Sequence, residues 1–512
     1  MQKFYALKFY TMKKFAYIIT IIFVWVSLGF SQINRVIWFQ YSSTGCLTCH
    51  KTSILRMNDS TYILGSLHYN SGLRPMLMQI KVKQGITIQW YKAFTSNPSL
   101  NLDVSDIIRI NDTLIAVSGG HGGCGSGTNC SFVGLFNINT QNFLWAKYFS
   151  SKGIASGLAY DGNSILVAVH GYDASGYGAI VKFDLNGNVI WAKQTHFGCS
   201  WNDNYSIIPE QNGYVVMGVG WWCGNWQPVI YRISLDGSSA TLIRGISNNY
   251  RAYKLIKDID GNYVIIGFYE PDHAAYLAKI APNGNILYSK RYTSNSDLRF
   301  YYITSDLDNH YLVSGVVQIS GTTYPMVAKI NKDNGSIIYS RYWPNAPAGQ
   351  ANNQGKGIAP VKLGKILASG YLGSSVDSHN GFIAILDSID CMNSFNISVS
   401  NYSLGTWSPG ISLSNYSGIN NLTLTSYNFS LSQTPSCSIQ GVSDNEYKSC
   451  NFKIYGSKGF IGVESNKEIV VSIYNVNGYK VKEVSIKSGK IPLKSGIYIV
   501  KVNGEHLKLV VR

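Results

Sequence analysis

Two stretches, YKLIKDIDGNYVIIGFY (253–269) and AYLAKIAPNGNILYSKRYT (275–293), follow one another almost without a break. Each is a pair of short runs of β-branched, aliphatic and aromatic residues around a tight Gly-Asn turn, the pattern of a β-hairpin. Two hairpins in a row make a four-stranded antiparallel unit. The first hairpin recurs as YSIIPEQNGYVVMGVG (205–220) and YYITSDLDNHYLVSGVV (301–317), and the second as AIVKFDLNGNVIWAKQT (179–195) and PMVAKINKDNGSIIYSRYW (325–343). An aromatic marker in the last strand, at Trp90, Trp145, Trp191, Tyr288 and Tyr339, repeats at intervals of 55, 46, 97 and 51 residues. The double interval spans a unit that carries TLIRGI (241–246) at that place. The period is therefore about 45–55 residues, that of a β-propeller blade.

With the strands of a unit lettered A to D, A–B pairs begin near Ser53, Asp106, Ser156, Tyr205, Tyr253, Tyr301 and Gly357. The expectation is an all-β chain with a seven-bladed β-propeller over residues 32–390. The last unit ends with its C strand, GFIAILDSI (381–389), and lacks a D strand before Cys391. RVIWFQYS (35–42) has the D pattern with no A, B or C before it. It is expected to complete the seventh unit and close the ring, which leaves no unpaired seam.

Composition agrees. Tyr (36) and Gly (50) are abundant, whereas charged residues make up only 14% of the 512, a balance suited to short strands and turns. At the N-terminus, Lys13 and Lys14 precede the apolar run FAYIITIIFVWVSLGF (15–30), with the small residues Gly29 and Ser31 at its end. Residues 1–31 read as a cleaved signal peptide, because the run is shorter than the roughly 20 residues needed to span a bilayer. No later stretch is apolar enough to span. Export would place the cysteines in an oxidising compartment.

Residues 391–446 are rich in Ser and Asn, with short alternating apolar stretches, and read as a linker or a small β element. Residues 447–512 alternate strands with turns at Asn477-Gly478, Ser495-Gly496 and Asn503-Gly504, which predicts a small antiparallel sandwich. Through VSIYNVNGYKV, LKSGIYIVKV and the ending KLVVR, this tail resembles the C-terminal sorting domain of cargo exported by the type IX secretion system of Bacteroidetes and their relatives. The resemblance implies the type IX machinery as partner, passage across the outer membrane, removal of the domain, and an extracellular protein that is either released or attached to the surface.

Of the net charge of +16, the tail holds +8 and residues 1–31 hold four lysines with no acid, leaving +4 for residues 32–446. Nucleic-acid binding needs a basic stripe on the working domain, and none is present.

The D-to-A and B-to-C loops are expected on one face, where seven of nine histidines fall: His50, His68, His121, His170, His196, His273 and His379. Without a tight spacing among them, no metal is expected. DIDGN, DLDNH and DLNGN on the other face read as Asx turns, since none has the ligand series of a calcium loop. The cysteines are candidates for local disulfides, Cys46 with Cys49, Cys124 with Cys130, Cys199 with Cys223 and Cys391 with Cys437. Each unstrained bridge would add about 2–4 kcal/mol.

Cys46, Cys49 and His50 also form C-x-x-C-H, the attachment motif of a c-type haem, so this loop supports a disulfide or a covalent haem. In the fourth unit, His196, Trp201, Asn202, Asp203, Trp221, Trp222, Asn225 and Trp226 combine flat aromatics with polar groups, a set suited to a sugar. Asp203, Asp272 and Asp377 are carboxylates by loop position, but no G-x-S-x-G, H-E-x-x-H or phosphate loop is present. The first expectation is a non-catalytic protein that binds glycan or a surface partner through its loop-rich face, with no cofactor. The alternatives are a haem-bearing electron-transfer protein and a polysaccharide-active enzyme.

Overall fold

The computed structural model describes residues 33–39 and 53–511, except 70–71, 84, 123–128, 151, 172–175, 199–200, 222–224, 248, 295–296, 343–353, 362–364, 373–379, 387–392, 395, 408, 428–432, 440–445, 449–451, 458–459, 476–479, 495 and 503–504. Among them every regular element is a strand. The chain forms two compact units, one of Val36–Asp387 with Cys391–Thr434 and one that includes Pro435–Arg512.

The larger unit is built of sheets that repeat one plan. Sheet one runs Ser53–Arg56, Thr61–Tyr69, Leu73–Val82 and Ile86–Asn97. Sheet two follows with Asp106–Arg109, Leu114–Gly122, Asn129–Asn137 and Asn142–Phe149; sheet three with Ala155–Tyr160, Ser164–Val169, Gly178–Asp184 and Val189–His196. Sheet four is Trp201–Glu210, Gly213–Trp221, Gln227–Ile233 and Ala240–Ile246, and sheet five Tyr250–Lys257, Tyr263–Tyr269, Ala274–Ile280 and Ile286–Thr293. Sheet six is Leu298–Ser305, Tyr311–Ile319, Thr322–Ile330 and Ile337–Tyr342. In sheet seven, Gln354–Val361, Lys365–Leu372 and Asn380–Leu386 are joined by the N-terminal strand Ile33–Phe39, which pairs antiparallel with the last of them, Trp38 opposite Phe382.

Neighbouring sheets pack face to face through apolar side chains. Leu77 and Phe94 share a cluster with Val117 and Phe132, and Ala116 and Phe149 share one with Val167 and Phe183. Equivalent clusters join sheets three to four, four to five and five to six. Tyr62 and Met78 of sheet one share a cluster with Leu367 and Ile383 of sheet seven.

A polar staple repeats between neighbours at the A–B turns. Asp161 accepts from Tyr214 of the next sheet (2.8 Å) and faces Lys182 of its own sheet (3.2 Å). Glu210 does the same with Tyr263 (2.7 Å) and Arg232 (2.9 Å), and Asp258 with Tyr311 (2.9 Å) and Lys279 (2.8 Å). Tyr62 donates to the Pro360 carbonyl of sheet seven (3.0 Å). The aromatic markers also reach across. Trp145 donates to the Leu185 carbonyl (2.9 Å), Trp191 to that of Leu235 (3.0 Å) and Tyr288 to that of Lys332 (3.0 Å), each in the next C–D turn.

Residues 391–446, expected as a linker or a small β element, give one outer strand to sheet after sheet. Asn393–Ser394 pairs with sheet six, Ser398–Asn401 with five, Thr406–Trp407 with four, Ser412–Asn415 with three, Ile419–Asn421 with two and Thr423–Tyr427 with one, all antiparallel to the D strand. Gln433–Ile439 is the fifth strand of sheet seven. An unpaired D strand offers its backbone to any passing chain, and this belt satisfies part of that edge. Ile397, Leu404 and Ile411 recur every seven residues and tuck into successive inter-sheet clusters. Seven extended residues cover about 23 Å, enough for one step from sheet to sheet.

The C-terminal strands Glu446–Lys448, Phe452–Ser457, Phe460–Asn475, Lys480–Pro492, Gly496–Val502 and Glu505–Val511 form one sheet. The long strand Phe460–Asn475 has a register break between Glu464 and Ile469, and the sheet encloses a core of Ile454, Ile461, Val463, Val471, Ile473 and Val500.

Candidate functional site

Antiparallel pairing puts the A–B and C–D turns at one end of every sheet and the D–A and B–C connections at the other. At the second end, beside sheets five and six, lies a cleft of about 610 Å³ lined by Asp272, His273, Thr293, Ser294, Asp297 and Gln318, with Ala274 behind them. Asp272 and His273 sit in the B–C turn of sheet five, where Asp272 accepts the Ala274 amide (3.1 Å) and His273 has a left-handed backbone (φ 53°). Such a φ is uncommon outside glycine, and histidine is among the residues that tolerate it. The D–A connection carrying Asp297 is fixed on both sides: Leu298 donates its amide to the His273 carbonyl (3.0 Å) and Gln318 to that of Asp297 (2.8 Å).

Three Arg–carboxylate pairs surround the cleft. Arg299 donates to both oxygens of Asp297 (2.9 and 2.5 Å) and stands 2.8 Å from His273 Nδ1. The same ring nitrogen lies 3.2 Å from Asp297 Oδ2, and Nε2 faces Glu270 at 3.8 Å, so the imidazole meets the network through both nitrogens. Burial opposes the Arg299 charge, but Asp297 and Tyr301 outweigh it and hold the group above its ordinary value. Arg251 pairs with Glu270 and lies over the Trp226 ring (4.3 Å), and Arg291 pairs with Asp272. Arg299 also lies over Phe268 (4.8 Å), which stacks on Tyr253 at 5.8 Å. The lining thus alternates donors and acceptors in balanced charge against an aromatic backing, a surface that can give hydrogen bonds to hydroxyls and take hydrogen bonds from them.

The two arginines are aimed by the A strands. Arg251-Ala252-Tyr253 and Arg299-Phe300-Tyr301 each precede a β-bulge in which the tyrosine is the unpaired residue. The bulged backbone lies so close to the B strand that a Cβ on Gly267 would sit 1.7 Å from the Arg251 carbonyl oxygen, and one on Gly315 would sit 1.9 Å from that of Arg299. Glycine is required at both positions.

Of the residues singled out in sequence, Asp272, His273 and Trp226 belong to this site or its backing. Asn225 is exposed beside Trp226. Asn202 and Asp203 are buried and turned to backbone: Asn202 accepts the Phe197 amide (2.8 Å) and Asp203 that of Gly171 (3.0 Å). Trp201 and Trp221 are paired across sheet four, and the His196 ring lies 4.5 Å from Tyr177. His68 and His196, expected in loops, end or lie within strands because the B and D strands run further than their apolar pattern; His68 is buried. His121 also belongs to a strand. Residues 1–31, Cys46, Cys49, His50, Cys124, Cys199, Trp222, Cys223, Asp377, His379, Cys391, Asn477-Gly478 and Asn503-Gly504 lie outside the described residues. Of Cys130 and Cys437 only the strands are described. Sequence reasoning missed Arg251, Glu270, Asp297 and Arg299. The available signal was Arg-x-Tyr at the same register of two successive units.

No protein-family model and no curated protein matches this chain. Among solved structures, it is similar to an oligogalacturonate lyase in complex with manganese (12% identity, 70% of this chain and 96% of that one, TM-score 0.39). It is also similar to hydrazine synthase from Kuenenia stuttgartiensis (13%, 52% and 75%, TM-score 0.37) and to Sqt1 from Chaetomium thermophilum (9%, 80% and 96%, TM-score 0.35). Likenesses this low carry no inference about activity.

Proposed function

We propose that the chain is an exported, closed seven-bladed β-propeller that binds a glycan or a glycan-bearing surface partner in the cleft beside sheets five and six. The observation that carries the reading is the lining of Asp272, His273, Asp297 and Gln318, in which two carboxylates, each paired with an arginine just outside the lining (Arg291 and Arg299), converge with an imidazole and an amide on a volume of about 610 Å³. Sugars present hydroxyls that both donate and accept, and such a lining meets them without a net-charge cost. Support for the closed ring comes from the shared core of sheets one and seven and from the pairing of Ile33–Phe39 with Asn380–Leu386. The tail motifs support type IX export and an extracellular location.

A glycan array on purified protein tests the binding. Asp272→Asn combined with Gln318→Ala should weaken retention of the best ligand at least tenfold while leaving the melting temperature within about 2 °C. Unchanged retention would move the site elsewhere, with Trp221→Ala and Trp222→Ala as the next variants. The C-x-x-C-H motif favours a second reading, a surface electron-transfer protein with covalent haem on Cys46, Cys49 and His50. A pyridine haemochrome spectrum of protein made with haem-attachment machinery decides it, since absence of the covalent band eliminates haem.

A further inference from the structure

A second constellation lies at the same end of sheets three and four, apart from the cleft. We propose that Ser156, His170 and Asp203 form a nucleophile, base and orienting acid that hydrolyse an acyl ester. Ser156 is the unpaired residue of the bulge in Ala155–Tyr160, half-buried, with its hydroxyl 2.7 Å from His170 Nε2. The opposite ring nitrogen, Nδ1, faces Asp203 Oδ2 at 4.0 Å. Two different nitrogens of one imidazole thus address a hydroxyl and a carboxylate, which is the division of roles that activates a serine.

The surroundings fix both partners. His170 is held by its backbone, donating to the Ile154 carbonyl (3.0 Å) and accepting from Gly153 (3.1 Å), while its ring lies 4.2 Å from that of Tyr205. Asp203 takes the Gly171 amide on Oδ1 (3.0 Å), while Oδ2 accepts from the Tyr205 hydroxyl (3.4 Å) and faces the ring. His170 and Asp203 are 5% and 8% exposed, so the pair works in a low dielectric. The Ser156 hydroxyl also has the Asn204 and Tyr205 carbonyls at 3.2 and 3.4 Å, but His170 is nearest and is the only one of the three that can take the proton away. The 4.0 Å separation is an ion-pair distance, and catalytic contacts of this kind shorten when substrate binds. A bulge is also the local device that aims a strand residue out of the ladder.

In the acylation step, Ser156 Oγ bonds to the ester carbonyl carbon as its proton passes to His170 Nε2. The carbon–oxygen bond to the alcohol breaks, and the alcohol leaves with that proton. Water then attacks the acyl-serine through the same base, releasing the acid and restoring the hydroxyl. Asp203 positions the ring and stabilises its charge.

A fluorophosphonate probe on the purified full chain, with the labelled peptide mapped by mass spectrometry, tests this. Wild-type protein should be labelled at Ser156 in a heat-sensitive manner, Ser156→Ala should not, and His170→Gln should label at least tenfold more slowly. Asp203→Asn should slow labelling and lower the apparent pKa of its pH–rate profile, because the imidazolium loses its neighbouring carboxylate. Ser156→Ala removes one oxygen at a half-buried bulge, so a melt matching wild type separates lost chemistry from lost fold. Absence of labelling in wild type, labelling that survives Ser156→Ala, or a rate unchanged in folded His170→Gln each overturns the proposal. None of these outcomes depends on glycan binding.

Discussion

The two ends of the sheets obey different rules. At the turn end a carboxylate, a tyrosine and a lysine or arginine recur in the same roles from sheets three to six, and the D-strand aromatics recur with them in sheets three, five and six. At the loop end, equivalent positions diverge. The register that holds Arg251 in sheet five and Arg299 in sheet six holds Asp203 in sheet four, and the bulged residue is Ser156, Tyr205, Tyr253 or Tyr301. Repetition follows where each sheet must solve the same packing problem. Divergence follows where a scaffold is free to display chemistry.

If the turn end is structural, breaking one staple should cost more stability than any loop-end change. Asp258 is 1% and Lys279 7% exposed, so Asp258→Ala strands a buried ammonium. The expected loss is about 3 kcal/mol, the low end for a broken buried pair, because Asp260 still faces Lys279 at 3.1 Å. Tyr311→Phe deletes only the hydroxyl and should cost about 1 kcal/mol. Urea unfolding measures both, and equal losses for Asp258→Ala and the cleft variant would erase the distinction between the ends.

Acid should sharpen the comparison less steeply. His68, opposite Arg74 in sheet one, is buried, and burial pushes its imidazole down to about 4 from 6.5. Between those values the unfolded chain binds a proton there that the folded chain refuses, so stability declines as pH falls from 6.5 towards 4 and is level above. The staples respond lower. Burial raises Asp161 and Glu210, but hydrogen bonds from Asn163, Tyr214 and Lys182 to the first, and from Lys257, Tyr263 and Arg232 to the second, outweigh it and hold both below the ordinary carboxylate range. Their contribution is complete above the unfolded value near 4 and disappears as pH drops through the folded one. Urea midpoints at pH 7, 5.5, 4.5 and about 3 check this: His68→Gln should flatten the slope above about pH 4 and leave the loss below it.

The sheets were legible because hairpins have local signatures, and the markers Trp145, Trp191 and Tyr288 recur because each must reach the next turn. The N-terminal strand was legible through bookkeeping, one D strand missing and one spare. The belt was not. Its six pieces on sheets one to six are two to five residues long, too short for strand periodicity, and their partners lie 50 to about 330 residues away; the seven-residue spacing of Ile397, Leu404 and Ile411 was the trace they left. The site was half legible. Histidines and tryptophans attract notice as rare residues, whereas Arg251, Glu270, Asp297 and Arg299 are common ones that gain meaning through the bulges that bring them together.

The smallest effect is expected where apolar side chains are exposed on the turn-end half of the D strands. Leu144, Ile190, Leu287 and Ile338 each stand immediately before an aromatic marker, and each is the bulged residue of its D strand. A bulge leaves its residue without an opposite partner and twists the edge away from incoming chains. The ladder of the belt stops short of them, pairing with sheet five from Lys290 onward and with sheet six from Arg341, and Tyr402 bonds no further back than Ser289. Leu287 and Ile338 are 52% and 46% exposed, so Leu287→Ser and Ile338→Ser should each change stability by less than about 0.5 kcal/mol. Tyr288, one residue on, fills the junction with sheet six, and Tyr288→Ser should cost several times more. A loss above 2 kcal/mol for Leu287→Ser would mean that this row of aliphatics is covered in solution and that the turn end, too, meets a partner.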